Sequence, residues 1–465
     1  MTPGVGDGGA LAIVLHTHMP YVHGYGTWPF GEEWLWEVYA TSYLPVCELA
    51  QRAPLTVSLT PVVGDQLEAP GAAGRCLEFY DGVRRRSHDE DLTWLRMKPV
   101  ELAGEIAAAE YSWSRHEAAI AGIDAERGDL LRPLAEVSTW TSAATHAVLP
   151  LLATEAGVRL QVATGIASHR RRAGGWGGGM WLPECAWDPE LEGALVDEGV
   201  RTVCIEVAGG GDGVMAPWRT PGGLQVAPID RTLIDLIWHH TGYPGAGDYR
   251  DSHRRSYQNV PLWANHGRAY DPAAGQAQAE ADAAAWARAC AKRLAGGQAA
   301  VVAFDTELFG HWWHEGAAFL AAAVEALAAE GVELVQLDEL LARLSPGLEV
   351  ADAPPASTWG AGRDLRTWTG PTVSTIAWEL RRAELGALAA REPGTPSDAA
   401  LRDLLALQSS DWAFMVTEER AASYGWARFA DHRQAVDRRS GPLPSSAPRL
   451  RHLAPDLARD ALAVG

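Results

Sequence analysis

The sequence predicts an α/β fold, a mainly parallel sheet followed by a helical domain, on three observations. Short apolar runs recur that end in polar or glycine-rich sequence. Ala/Glu/Arg-rich stretches of helical period separate several of them, and after a Pro/Ala-rich break at 345–358 only helical pattern remains. Strand and helix alternating in this way call for right-handed crossovers, which leaves a barrel or a doubly wound sheet.

The elements follow in order. "LAIVLHTH" (11–18) and "PLTVSLTPVV" (54–63) read as the first buried strands, and the stretch 71–110, rich in Arg, Glu and Ala, reads as a helical insertion after them. "MWLPECAW" (180–187), "RTVCIEVAGG" (201–210) and "RTLIDLIWHH" (231–240) continue the sheet. Gly242 to Arg268 holds few core residues and reads as a long surface loop, a kind often functional. A helix at 277–295, the strand "QAAVVAFDTE" (298–307), a helix at 315–331 and the strand "VELVQLDEL" (332–340) complete the alternation. The glycines of "GVGDGG" (4–9) match a dinucleotide fingerprint only formally, since they precede a strand instead of joining strand to helix. The expected domains are 1–345 for the sheet with its inserted segments, 346–358 for a linker, and 359–465 for a helical domain.

Composition narrows the function. A chain of 465 residues, 47% of them hydrophobic, can bury a large core. Its formal charge of -20 speaks against a nucleic-acid partner, because phosphate binding needs a cationic surface. The N-terminal apolar run "ALAIVL" is too short for a signal peptide or a membrane span, and the five cysteines form no CxxC pair. A soluble cytoplasmic protein without a membrane partner is the expectation. Tryptophan outnumbers the other aromatics, with 20 Trp against 11 Tyr and 7 Phe. Trp28, Trp34, Trp36, Trp176, Trp181, Trp187, Trp312, Trp313 and Trp412 lie near His, Glu or Asp, either as half-buried core or as indole faces that a ligand uses.

Polar groups at the strand ends carry the chemistry. Glu184 is read as ending the strand "MWLPE" and Asp305 as ending "AVVAFD", both beside indoles at the rim where such folds place active sites. Paired carboxyls there suit retaining glycoside chemistry, one as nucleophile and one as acid and then base. The plain alternative makes them hydrogen-bond partners of the loops after their strands. In "HTHMP" (16–20), His16 and His18 project to one side of an extended strand end. Such a pair can bind zinc, contact hydroxyls or serve structure, and spacing does not choose a third ligand among His146, His239, His240 and His311.

Taken together, "HTHMPYV", "WLPECAW", "FDTELFGHWW" and "QSSDWAFMVT" (408–417) resemble the motifs of glycoside hydrolase family 57, and most of all those of its 1,4-α-glucan branching members. "TSAATHAVLPLL" (141–152), "GYPG" (242–245) and "STWG" (357–360) match as well, so the resemblance covers nearly the whole chain. It implies an incomplete (β/α)7 barrel, no metal or other cofactor, and retaining transfer on an α-glucan with Glu184 as nucleophile and Asp305 as acid/base. It also implies that His16, His18 and His146 line the subsite of the attacked glucose. Trp263 and Trp368 would form part of an aromatic gate, Asp411 would reach in from the helical domain, and Tyr243, Arg255, Gly267 and Arg420 would complete the substrate contacts. The rivals are a 4-α-glucanotransferase or α-amylase of the same family, a metal-dependent polysaccharide hydrolase, and a catalytically silent maltodextrin-binding protein.

Two departures stand out. The loop after "GYPG" reads "AGDYRDSHRRSYQNVPLW" (246–263), shorter than the family's, and Glu419-Arg420 replaces a Gly-Gln. In branching members a tyrosine matching Tyr243 shields the glycosyl intermediate from water, so the shortened loop implies hydrolysis beside transfer.

Overall fold

Among the described residues, eight parallel strands and one antiparallel strand organise the computed structural model, running largely in chain order around the sheet. The structure describes residues 6–25, 30–100, 102–207, 214, 216–344, 348–351, 354–388, 397–421, 423–437 and 450–462. Trp28 and residues 346, 347, 352 and 353 of the expected linker lie outside them. The strands are β1 (Ala10–Thr17), β2 (Thr56–Leu59), β3 (Ser138–Ser142), β4 (Gly179–Trp181), β5 (Thr202–Ile205), β6 (Trp218–Arg219), β7 (Gln225–Pro228), β8 (Ala299–Asp305) and β9 (Glu333–Leu334). Their order across the sheet is β6-β7-β5-β4-β3-β2-β1-β8, with β9 on the start of β1 and only β6 antiparallel to its neighbour. Past β7, a parallel bridge joins Ile229 to Val301, and the Asp230 N–H donates to the Val301 carbonyl at 2.7 Å. The sheet therefore curls round on itself as the incomplete (β/α)7 barrel.

Burial explains the strand sequences. All eight residues of β1 are buried, since β2 and β8 flank it and helices cover its outer face, so its run stays apolar instead of alternating. Helices Pro272–Leu294 and Gly316–Ala329 supply that cover through Ala283, Trp286, Ala287, Phe319 and Ala323.

Several expected elements differ. "RTLIDLIWHH" is a helix, Arg231–Trp238, with the Asp230 carboxylate accepting from the Leu233 N–H at 3.1 Å as its N-cap. Leu233, Ile234 and Ile237 face the core, a spacing that fits a helix as well as a short apolar strand. β3, "STWTS", is largely buried although its sequence is mostly polar and carries no apolar run. The strand at 180–187 ends at Trp181, and "VELVQLDEL" forms a two-residue strand and then helix Leu337–Leu344. The loop from Gly242 to Arg268 is no loose surface segment, because Val260, Leu262 and Ala264 pack with Tyr270 against Leu92, Leu95, Ala108 and Ala109 of the helical insertion.

The helical part comprises Arg366–Thr369, Ser374–Leu388, Asp398–Leu407, Asp411–Thr417 and Tyr424–Asp437. Its core of Trp368, Trp412 and Phe429 takes in Val148 and Ala186, which flank His146 and Glu184 on the barrel. The segment before it is tied down, since Ser357 bridges Trp187 and the Trp187 indole donates to the Pro354 carbonyl at 3.1 Å.

Candidate active site

Strand ends and the helical domain bring His16, His18, His146, Asp305, Glu307 and Asp411 around Glu184. His16 lies on β1 in register with Asp305 on β8, so the sheet itself sets these two side by side. Glu184 lies beyond β4, on a turn at Pro183–Cys185 where its φ is 61° and that of Cys185 is 50°. Left-handed backbone at non-glycine residues is costly and persists where the surroundings enforce it. Here they do. The Trp359 N–H donates to the Glu184 carbonyl at 3.2 Å, the Trp359 indole donates to Oε2 at 3.2 Å, and Ser410 Oγ donates to Oε1 at 2.8 Å.

That last bond orders the protons beyond it. A serine hydroxyl has one hydrogen, so with it on Glu184 the Ser410 oxygen accepts from His146 Nδ1–H at 2.9 Å. Burial holds His16 and His146 well below the usual histidine range, so both are neutral. His146 Nε2 then accepts from His16 Nε2–H at 2.8 Å, which leaves His16 Nδ1 a buried acceptor without a partner among the described residues. His18 is the charged one. Burial opposes its charge, but Asp411, with oxygens 3.0 and 3.1 Å from Nε2, then Glu307 and Glu184, outweigh it and raise its pKa. Asp411 is in turn held at about 2 against its own burial.

The two proposed catalytic carboxyls sit in opposite settings. Burial, then the negative charges of Glu307, Glu184 and Asp411, push Asp305 well above its ordinary value and favour its protonated form. Burial also raises Glu184, but its two hydrogen-bond donors work the other way and favour the anion. Glu307, raised to about 7 chiefly by burial, accepts from Tyr43 OH at 2.6 Å and from the His18 N–H at 3.0 Å. Tyr43 ends a π-helical turn, Tyr39–Tyr43, whose Ser42 donates to the Thr306 carbonyl at 2.7 Å.

Indoles lead away from this centre. Trp181 stacks on His16 at 5.1 Å and meets Trp359 at 4.8 Å; Trp238 lies 6.2 Å beyond Trp359, and Trp312 6.0 Å beyond Trp238. Trp238 and Trp312 are among the exposed large hydrophobics. Metal ligation also has a candidate set, because His18, His146 and Asp411 offer donor atoms within 4.8 Å of one another. His18 Nε2, both ring nitrogens of His146 and the Asp411 carboxylate already serve the hydrogen bonds above.

His16, His18, His146, Glu184, Asp305 and Asp411 thus converge, and the other expected contacts take the following places. Trp368 is buried in the helical-domain core. Tyr243 packs on Phe319 at 5.9 Å, outside the barrel strands. Arg255 donates to the carbonyls of Ser252 and Asn259, Trp263 to Glu105, and Gly267, at φ 87°, makes the turn of the packed loop. Arg420 is exposed beyond helix Asp411–Thr417. His239 and His240 are exposed too, and His311 pairs with Thr41. Sequence reasoning passed over Ser410, Trp359 and Glu307, although each lies inside a quoted motif; their pairing with Glu184 and His18 spans more than a hundred residues and leaves no local pattern.

Residues 134–351 match the family described as Glycosyl hydrolase family 57, and residues 389–449 match "1,4-alpha-glucan branching enzyme, C-terminal". A probable 1,4-alpha-glucan branching enzyme of Mycobacterium tuberculosis is 30% identical, over 94% of this chain and 92% of its own length. A 1,4-alpha-glucan branching enzyme of Thermococcus kodakarensis is 28% identical, over 94% of this chain and 74% of its own. Among solved structures, a branching enzyme of this type from Pyrococcus horikoshii superposes with a TM-score of 0.84 at 28% identity, covering 91% of this chain and 88% of that one.

Proposed function

The chain belongs to glycosyl hydrolase family 57, and from that premise we propose that it is a retaining enzyme that builds branches into an α-glucan. Glu184 attacks the anomeric carbon of an α-1,4-linked glucose while Asp305 gives its proton to the departing 4-oxygen. Asp305 then takes the proton of an acceptor 6-hydroxyl as that oxygen displaces Glu184, which forms the α-1,6 bond and restores both groups. The carrying observation is the difference between the two carboxyls: Ser410 and Trp359 donate to Glu184 and steady its anion, whereas burial and three neighbouring carboxylates favour the protonated form of Asp305. His16 and His18 each keep a buried Nδ1 without a partner among the described residues, fit to bond sugar hydroxyls, and the indole line suits the apolar faces of glucose. A cytoplasmic storage polymer of the glycogen kind is the proposed substrate. Five buried free cysteines, and no described helix long and apolar enough to cross a membrane, support that setting.

The test is incubation with amylose, counting new α-1,6 linkages. Glu184→Gln should lose turnover by about 10³-fold or more while still binding maltodextrin, because an amide cannot form the glycosyl ester. Near-normal branching by that variant would remove Glu184 from the mechanism. Asp305→Asn should fail as well, with partial recovery on substrates whose leaving group needs no proton.

A metal-dependent hydrolase is the second reading, footed on the cluster of His18, His146 and Asp411. One zinc per chain whose removal by a chelator abolishes turnover would establish it; branching that survives exhaustive chelation supports the two-carboxylate route.

A further inference from the structure

Between the long loop and the helical insertion lies a cavity of about 80 Å³ that collects cations. Arg84 and Arg115 line it from the insertion, Arg250 and Arg255 from the loop, and His314 from the segment beyond Asp305. Glu37 is the carboxylate of its wall, and it is engaged by Arg84 and, at 3.3 Å, by His116. The hydrogen-bond partners of the other arginines are neutral oxygens: Thr41 O for Arg115, Ser112 Oγ for Arg250, and the carbonyls of Ser252 and Asn259 for Arg255. A further carboxyl, Glu315, accepts from the backbone N–H of Arg250 at 3.0 Å, and burial pushes it up towards its neutral form. His314 is 5% exposed, and neither of its ring nitrogens has a hydrogen-bond partner among the described residues.

Such a collection is unfavourable as it stands. Guanidinium charge withdrawn from water costs several kcal/mol unless an anion meets it, and the chain, at -20 overall, is otherwise rich in acid. Burial holds Arg250 down at about 10, and Glu315 offsets that effect only in part. The space is lined by cationic and polar groups and is roomy enough for one tetrahedral oxyanion. Guanidinium forks match such an anion bidentately, and His314 can add a ring N–H.

We infer that this cavity is an oxyanion site for a phosphate group, brought by inorganic phosphate or by a phosphorylated sugar, and that filling it fastens the loop to the helical insertion. It is separate from Glu184 and Asp305 but mechanically joined to their surroundings. Thr41, in the cavity wall, precedes Ser42 and Tyr43, which bond Thr306 and Glu307 next to Asp305.

The experiment compares inorganic phosphate, glucose 6-phosphate and uncharged maltose against chloride at equal ionic strength, reading thermal melting and equilibrium dialysis. Phosphate should saturate at one per chain and raise Tm by about 2 °C or more. It should also slow tryptic cleavage after the exposed Arg254 and Arg255. Glucose 6-phosphate binding at least tenfold tighter than phosphate identifies a sugar phosphate as the occupant; equal or weaker binding identifies free phosphate. Arg115→Gln and Arg250→Gln should each weaken binding at least tenfold. Should they fail to fold, Arg115→Lys, which keeps the charge and loses the fork, should still weaken it several-fold. The inference is overturned if neither phosphate compound binds above the chloride control, or if all variants bind as the native chain does.

Discussion

Glu184 and His146 both hold left-handed backbone, at φ 61° and 60°, and Ser410 hydrogen-bonds both side chains. A relay with that much backbone strain invites a test by its smallest member. Ser410→Ala deletes a donor to the Glu184 anion, so the Glu184 pKa should rise and the acid limb of the kcat profile should move to higher pH. A loss of roughly 10- to 100-fold in kcat with little change in KM is expected; an unmoved acid limb would show that Ser410 only fills space. The opposite limb belongs to Asp305. Glu307→Gln removes a negative charge that raises Asp305, so Asp305 should deprotonate more easily and the alkaline limb should shift to lower pH. Stability supplies an independent check. Because the folded state raises the Asp305 pKa, stability is lost as pH climbs from the ordinary carboxylate range through the raised value. Asp305→Asn should therefore raise Tm by roughly 1–3 °C at pH 7 and by almost nothing at about pH 2.5, well below the ordinary Asp pKa of about 3.9, where both states are protonated.

At the scale of elements, the loop from Gly242 to Arg268 matters most. The shortened sequence predicts a loose lid, yet the structure packs it on the insertion through Val260 and Leu262, with Ser256 donating to Asp91 at 2.5 Å. Water at ~55 M competes with a bound hydroxyl for the glycosyl intermediate, so transfer wins where the acceptor is oriented and water is kept out. Leu262→Ala should undock the loop and raise the ratio of new reducing ends to new α-1,6 bonds in one amylose digest. Tyr243→Ala, which strips the ring from Phe319, should do so too. Ratios equal to the native one in both variants would show that this loop is not the water barrier. Strands such as β1 and β8 were legible because burial on both faces demands continuous apolar runs. Helix Arg231–Trp238 was not, because eight residues of mixed apolar pattern satisfy either period and the decision fell to the Asp230 cap and the packing around it.

The whole molecule works through the union of barrel and helical domain, since Ser410 and Asp411 come from one and Glu184 and His18 from the other. Glu384 secures that union. Buried at 1% exposure, it accepts from the Ala153 and Thr154 N–H groups, from Thr154 Oγ1 and from Gln408, whose own oxygen accepts from Gln161 behind the His146 turn. Glu384→Ala would strand four buried donors, at about 1–3 kcal/mol each where no water enters. A lower denaturant midpoint and a falling kcat should appear together, and Glu384→Gln, which keeps an acceptor oxygen, should recover part of both. An unchanged midpoint in Glu384→Ala would show that the domains are held elsewhere.

Sequence by itself determined the alternation of strand and helix, the helical tail, and the two carboxylates worth betting on, because hydrophobic period and motif spacing are local properties of the chain. Tertiary structure alone decided the rest. It put Glu184 on a strained turn past its strand, made Ser410 and Trp359 its hydrogen-bond donors, packed Tyr243 on Phe319 and Trp368 in the helical-domain core, and gathered four arginines around one cavity. Those outcomes depend on desolvation and on contacts between residues far apart in the chain, and neither leaves a trace in the order of neighbouring residues.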